Sequence, residues 1–79
     1  MIDAAELEKR VRGAFPGATV TVTDLTGTRD HYRLAIVSDA FLGMGPVERH
    51  RAVYALFRDV LGGALHALSL ETRTPEEQR

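Results

Sequence analysis

Between Ala18 and Ser38 the chain alternates apolar and polar residues twice, and this constrains the fold more than any other feature. In the first run Ala18, Val20 and Val22 point one way, and Thr19, Thr21 and Thr23 point the other. A run so rich in β-branched residues predicts a half-buried strand over Ala18–Asp24. Leu25 to Asp30 is a polar turn around Gly27. His31–Ser38 predicts a second strand, with Tyr32, Leu34 and Ile36 on one face. A connection this short predicts an antiparallel hairpin.

Helical patterns flank the hairpin. Asp3–Ala14 carries Ala4, Leu7, Val11 and Ala14 at helical spacing. Asp3 can cap this helix, with Glu6 three residues later as in a capping box. Gly13, Pro16 and Gly17 end it. After the hairpin, Gly43-Met44-Gly45 interrupts regular structure, and Pro46 suits a first helical turn. That helix is expected over Pro46–Leu61, stopped by Gly62 and Gly63. Its apolar face would comprise Val47, His50, Val53, Tyr54, Phe57, Val60 and Leu61. A third strand is expected over Ala64–Glu71, with His66, Leu68 and Leu70 on one face and Leu65, Ala67 and Ser69 on the other. A whole helix joins strands two and three, so a parallel pairing through a right-handed crossover is expected. Thr74-Pro75-Glu76-Glu77 then reads as the capped start of a last helical turn. The fold class is α+β, ordered α-β-β-α-β with a short C-terminal helix.

At 79 residues the chain suffices for one domain with a thin core, which disfavours a self-contained enzyme. It has no cysteine, so any metal would rely on His, Asp, Glu or a partner's ligands. The net charge of -1 argues against strong nonspecific nucleic-acid binding, although a local basic face is still allowed. Basic charge is mostly arginine; Lys9 is the only lysine. The first residues lack a charged-then-apolar signal pattern, and no apolar run approaches the roughly 20 residues of a membrane helix. The expectation is a cytoplasmic protein with no membrane partner.

The three histidines differ in context. His66 lies between Leu65 and Ala67, and position alone favours a strand histidine held by a nearby carbonyl. His31 follows a glycine-containing turn and could be an exposed loop residue. If strands two and three pair in parallel, His31 and His66 both stand at strand starts and emerge at the same sheet edge. His50, on the apolar helix face, reads as structural, with a fixed hydrogen bond. Arg49 and Arg51 make the helix start basic, which is a solvated face or a contact for an acidic partner. Gly43-Met44-Gly45 fits neither a Gly-x-x-Gly nucleic-acid loop nor a dinucleotide fingerprint. Ser38 and Ser69 lack the setting of a nucleophile. Asp24 and Asp30 fit turn chemistry.

Five segments together resemble the BolA family. They are Asp30-His31-Tyr32-Arg33, Val37-Ser38-Asp39-Ala40-Phe41-Leu42-Gly43-Met44, Glu48-Arg49-His50-Arg51-Ala52-Val53-Tyr54, His66-Ala67-Leu68-Ser69-Leu70 and Thr74-Pro75-Glu76-Glu77. The resemblance implies a three-stranded mixed sheet with packed helices, similar to class II KH domains. It also implies a non-enzymatic partner of monothiol glutaredoxins. Such a protein shares a bridging [2Fe-2S] cluster with the glutaredoxin and its glutathione, in cluster assembly, trafficking or sensing. No cluster is expected on the isolated protein, and the apo form is expected to be a monomer or weak homodimer. The implied ligands are His66 and, as second ligand, His31. Arg49, Arg51 and Met44 are the candidate partner contacts. The rival reading is a DNA-binding transcriptional regulator that uses the KH-like fold. The chain departs from many family members at Gln78, where they carry Trp, and at Gly45, where they carry a capping Ser.

Overall fold

The computed structural model describes residues 1–78. Its three-stranded sheet has the order β1 (Thr19–Asp24), β2 (His31–Val37), β3 (Ala67–Arg73). β1 and β2 pair antiparallel, with Val22 opposite Leu34. β2 and β3 pair parallel, with His31 opposite Ala67 and Leu34 opposite Leu70. The alternation in the sequence survives as burial: Tyr32, Leu34 and Ile36 are buried, while Thr19, Thr21, Thr23 and Arg33 are exposed. A period of two places these sets on opposite faces of the pleat. The buried face meets α1 (Ala4–Ala14) through Leu7 and Val11, and the helical segment after β2 through Val53 and Phe57. Each such fully buried side chain contributes about 1.5–3 kcal/mol.

The turn between β1 and β2 is built on Asp24. Its carboxylate accepts the main-chain N–H groups of Gly27 (2.9 Å), Arg29 (3.1 Å) and Thr26 (3.3 Å). Arg29 there adopts a left-handed φ of 58°. The N-terminus straps this loop down: Ile2 N–H donates to the Arg29 carbonyl (2.9 Å) and the Tyr32 hydroxyl donates to the Ile2 carbonyl (2.7 Å). Asp3 lies at the N-cap of α1 but makes no side-chain cap bond, contrary to the expected capping box. Its carboxylate pairs instead with Arg29 at 3.1 Å. The capping box at the other end of the chain does form. Glu77 N–H donates to Thr74 Oγ1 (3.3 Å), and Thr74 N–H donates to Glu77 Oε1 (2.8 Å), opening α3 (Pro75–Gln78).

The expected helix over Pro46–Leu61 is shorter. α2 runs Pro46–Tyr54 and tightens into a 3₁₀ turn, η2, over Ala55–Phe57; an earlier 3₁₀ turn, η1, spans Asp39–Phe41. The N–H groups of Val60 and Leu61 both reach the Phe57 carbonyl, at 3.0 and 2.8 Å. That leaves the Leu56 carbonyl to accept from Arg10 on α1, at 3.0 Å. The same guanidinium binds Glu6 and Asp59, at 2.9 and 2.7 Å, and lies over the Phe57 ring. Asp59 holds the Arg10 pKa above its ordinary value, with Glu6 adding to the effect.

Val47 is 63% exposed, contrary to its expected place on the buried face. Arg49 explains this. Its side chain turns inward to the Met44 carbonyl (2.9 Å), the Thr72 carbonyl (3.4 Å) and Glu77 (2.6 Å). Two residues earlier on a helix is roughly 200° round the axis, so Val47 faces solvent. The third strand also differs: it begins at Ala67 and ends at Arg73. Gly62, at φ 91°, turns the chain so that its N–H meets the Leu65 carbonyl at 2.8 Å. Leu65 thereby enters the core, and His66 is exposed just before the strand instead of sharing the face of Leu68.

Candidate metal centre

β2 and β3 start at the same end of the sheet because they run parallel. His31 is the first residue of β2, and His66 immediately precedes β3. Their rings lie with centroids 5.0 Å apart at 49° to one another. His66 is exposed and His31 is half-buried. The structure therefore brings together the two histidines that the sequence places at strand starts, and the parallel pairing is what aligns them.

Asp30 stands between them. Its main-chain carbonyl accepts the N–H groups of His66 (2.7 Å) and Ala67 (3.0 Å). Its Oδ1 lies 2.9 Å from His31 Nδ1 and also accepts the Thr28 hydroxyl. Thr28, then His31, hold the Asp30 carboxyl below its ordinary pKa, against a smaller opposing effect of burial. Sequence reasoning placed Asp30 in turn chemistry and missed its contact with a ring. Its position directly before His31 was the available signal.

His50 is not part of this cluster. It is half-buried, edge-on to Tyr54 at 6.5 Å, and its ring makes no hydrogen bond among the described residues, contrary to the fixed bond expected. Tyr54 instead donates to the Leu68 carbonyl at 2.8 Å. Of the candidate partner contacts, Arg49 is engaged within the chain and its side chain is only 11% exposed. Met44 is half-buried against the core. Arg51 is exposed and lines a surface groove with Tyr54, Ala55, Arg58 and Leu61.

Among the described residues no group of three or more His, Cys, Asp or Glu side chains could hold a metal ion. Two imidazoles at one open edge fit a metal centre whose other ligands come from a second molecule, since a tetrahedral iron or zinc needs four donors. No described helix is long and apolar enough to cross a membrane.

Comparison with known proteins decides the family. Residues 11–77 match the family model BolA, described as BolA-like protein. The chain belongs to the BolA family. This BolA-family chain is 45% identical over 53 residues to human BolA-like protein 1, covering 67% of this chain and 39% of that one. It thus spans about two fifths of that relative's length. Among solved structures it superposes on BolA1 from Arabidopsis thaliana with a TM-score of 0.86 and 32% identity, covering 98% of each chain. The BolA domain of SufE1 from the same plant gives a TM-score of 0.83 at 33% identity, covering 98% of this chain and 99% of that domain. The α+β architecture, helices on a three-stranded mixed sheet, matches those structures.

Proposed function

We propose that this BolA-family chain is an iron–sulfur partner protein. It binds a monothiol glutaredoxin and shares a bridging [2Fe-2S] cluster through His66, with His31 as second ligand. It acts by binding and hand-over, with no turnover of its own. The observation that carries the reading is the His31–His66 pair, two rings 5.0 Å apart at the open end of the sheet. The occurrence of this fold as a domain of SufE1 supports a role in iron–sulfur metabolism. Imidazole nitrogen in place of thiolate raises a cluster's reduction potential and makes its binding sensitive to pH. The chain's own residues supply the donors and orient them; the thiolates belong to the partner.

The test is spectroscopic. A [2Fe-2S] cluster is reconstituted on a monothiol glutaredoxin with glutathione, and this chain is then added. The visible circular dichroism is expected to change on addition and to revert with His66→Ala. A spectrum indifferent to the chain, or to His66→Ala, overturns the ligand assignment.

The DNA reading retains one observation in its favour: Arg51 and Arg58 flank the same exposed groove. Its test is a salt-dependent shift of duplex DNA, lost on Arg51→Glu with Arg58→Glu. Arg49→Glu is unsuitable because it breaks an internal clamp.

A further inference from the structure

Both histidines of the pair depend on one residue. The Asp30 carbonyl takes the amides of His66 and Ala67, which fixes where β3 begins beside β2. The Asp30 side chain faces the other member: Oδ1 is 2.9 Å from His31 Nδ1. An aspartate is ionised at neutral pH, since its ordinary pKa is about 3.9. A carboxylate then has only acceptor sites. The hydrogen in the contact therefore belongs to Nδ1, and in a neutral ring the Nε2 lone pair is left free. The Thr28 hydroxyl must likewise donate to Asp30, and the Thr26 hydroxyl stands behind it as the next donor. These side chains fix the carboxylate from the loop side while the main chain fixes its origin.

We propose that Asp30 is a positioning residue that sets His31 in the Nδ1–H tautomer and seats His66 beside it, so that His31 offers Nε2 to an incoming metal centre. The inference rests on the ligand reading of His31 given above. A carboxylate behind a metal-binding histidine fixes ring orientation and raises the basicity of the free nitrogen. Asp30 adds a second task, because the same residue's carbonyl sets the neighbouring ligand. A role confined to turn geometry would need the carbonyl alone.

The experiment uses the metal-free chain without a partner. Long-range proton–nitrogen correlation spectra are recorded at pH about 8.5, well above the ordinary histidine pKa of about 6.5. His31 is expected mainly as Nδ1–H. In Asp30→Ala the carbonyl persists, so the amide signals of His66 and Ala67 stay near their positions. The ratio of Nε2–H to Nδ1–H at His31 rises several-fold, because a free imidazole prefers Nε2–H. His50, which lies outside this cluster beside Tyr54, serves as the internal reference. A wild-type His31 carrying its hydrogen on Nε2 overturns the proposal. So does an unchanged ratio in a folded Asp30→Ala. Should that variant not fold, the wild-type tautomer alone decides. The cluster experiment with His66→Ala can fail while this one succeeds, and the reverse, since no iron or glutaredoxin is present here.

Discussion

Arg49 and Arg51 are two residues apart and do different things. Arg49 turns inward and clamps α3 to the start of α2 through a two-pronged contact with Glu77, at 2.6 and 3.2 Å. Arg51 stays in solvent. Nothing local in the sequence separates them, because the partner that captures Arg49 lies 28 positions further on. The clamp leaves a pH signature. Arg49, and the Thr74 amide after it, lower the Glu77 pKa from 4.5 to about 2. A depressed carboxylate pKa gives stability that is present above the unfolded value and lost as pH falls through the folded one. Wild type should therefore lose this contribution between pH 4.5 and about 2. Glu77→Gln should be less stable than wild type at neutral pH, with the difference in denaturant midpoint shrinking towards pH 2. A difference constant with pH would contradict the clamp. Glu77 is about half exposed, its side chain at 48% against 11% for Arg49, so the effect should be small and reduced by salt.

At the scale of elements, the hairpin and the parallel crossover were legible because they rest on strong regularities. Thr19, Thr21 and Thr23 alternate with Ala18, Val20 and Val22, and a helix-length connection leaves parallel pairing as the natural outcome. The phase of β3 was not legible. An alternation counted from Leu65 puts it opposite Leu68, yet both are buried, at 0% and 8% exposure. The period of two starts only after the Gly62 turn has carried Leu65 inward, and a turn before a strand leaves no mark on a hydropathy pattern. Gly62→Ala places a Cβ where φ is 91°. It should cost about 1–2 kcal/mol in urea unfolding, and it should also perturb the His66 amide. An unperturbed His66 would mean that the turn does not set the start of β3. The 3₁₀ segment was equally invisible, because it depends on Arg10 reaching Leu56 from another helix. Phe57 at its end is fully buried. Phe57→Ala should lower stability by about 3–5 kcal/mol. For a chain this small, stable by about 5–10 kcal/mol at most, much of the population should then unfold on modest heating, as read by far-ultraviolet circular dichroism.

For the whole molecule, the fold delivers two imidazoles to one end of a sheet. Sequence alone named His66 and His31 through a family resemblance, but their proximity required the parallel register to be right. It could not name Asp30, whose part depends on a carbonyl and a carboxylate acting towards two different strands. Under the proposed function, His66 of this chain touches iron in a cluster shared with a glutaredoxin. The most direct measurement is pulsed electron paramagnetic resonance of the reduced mixed complex, with histidine isotopically labelled in this chain only. Two histidine ligands predict nitrogen hyperfine couplings that follow the label, with the His66 coupling lost in His66→Ala while that of His31 remains. A labelled complex showing no such coupling, or a set of couplings unchanged by His66→Ala, would contradict it.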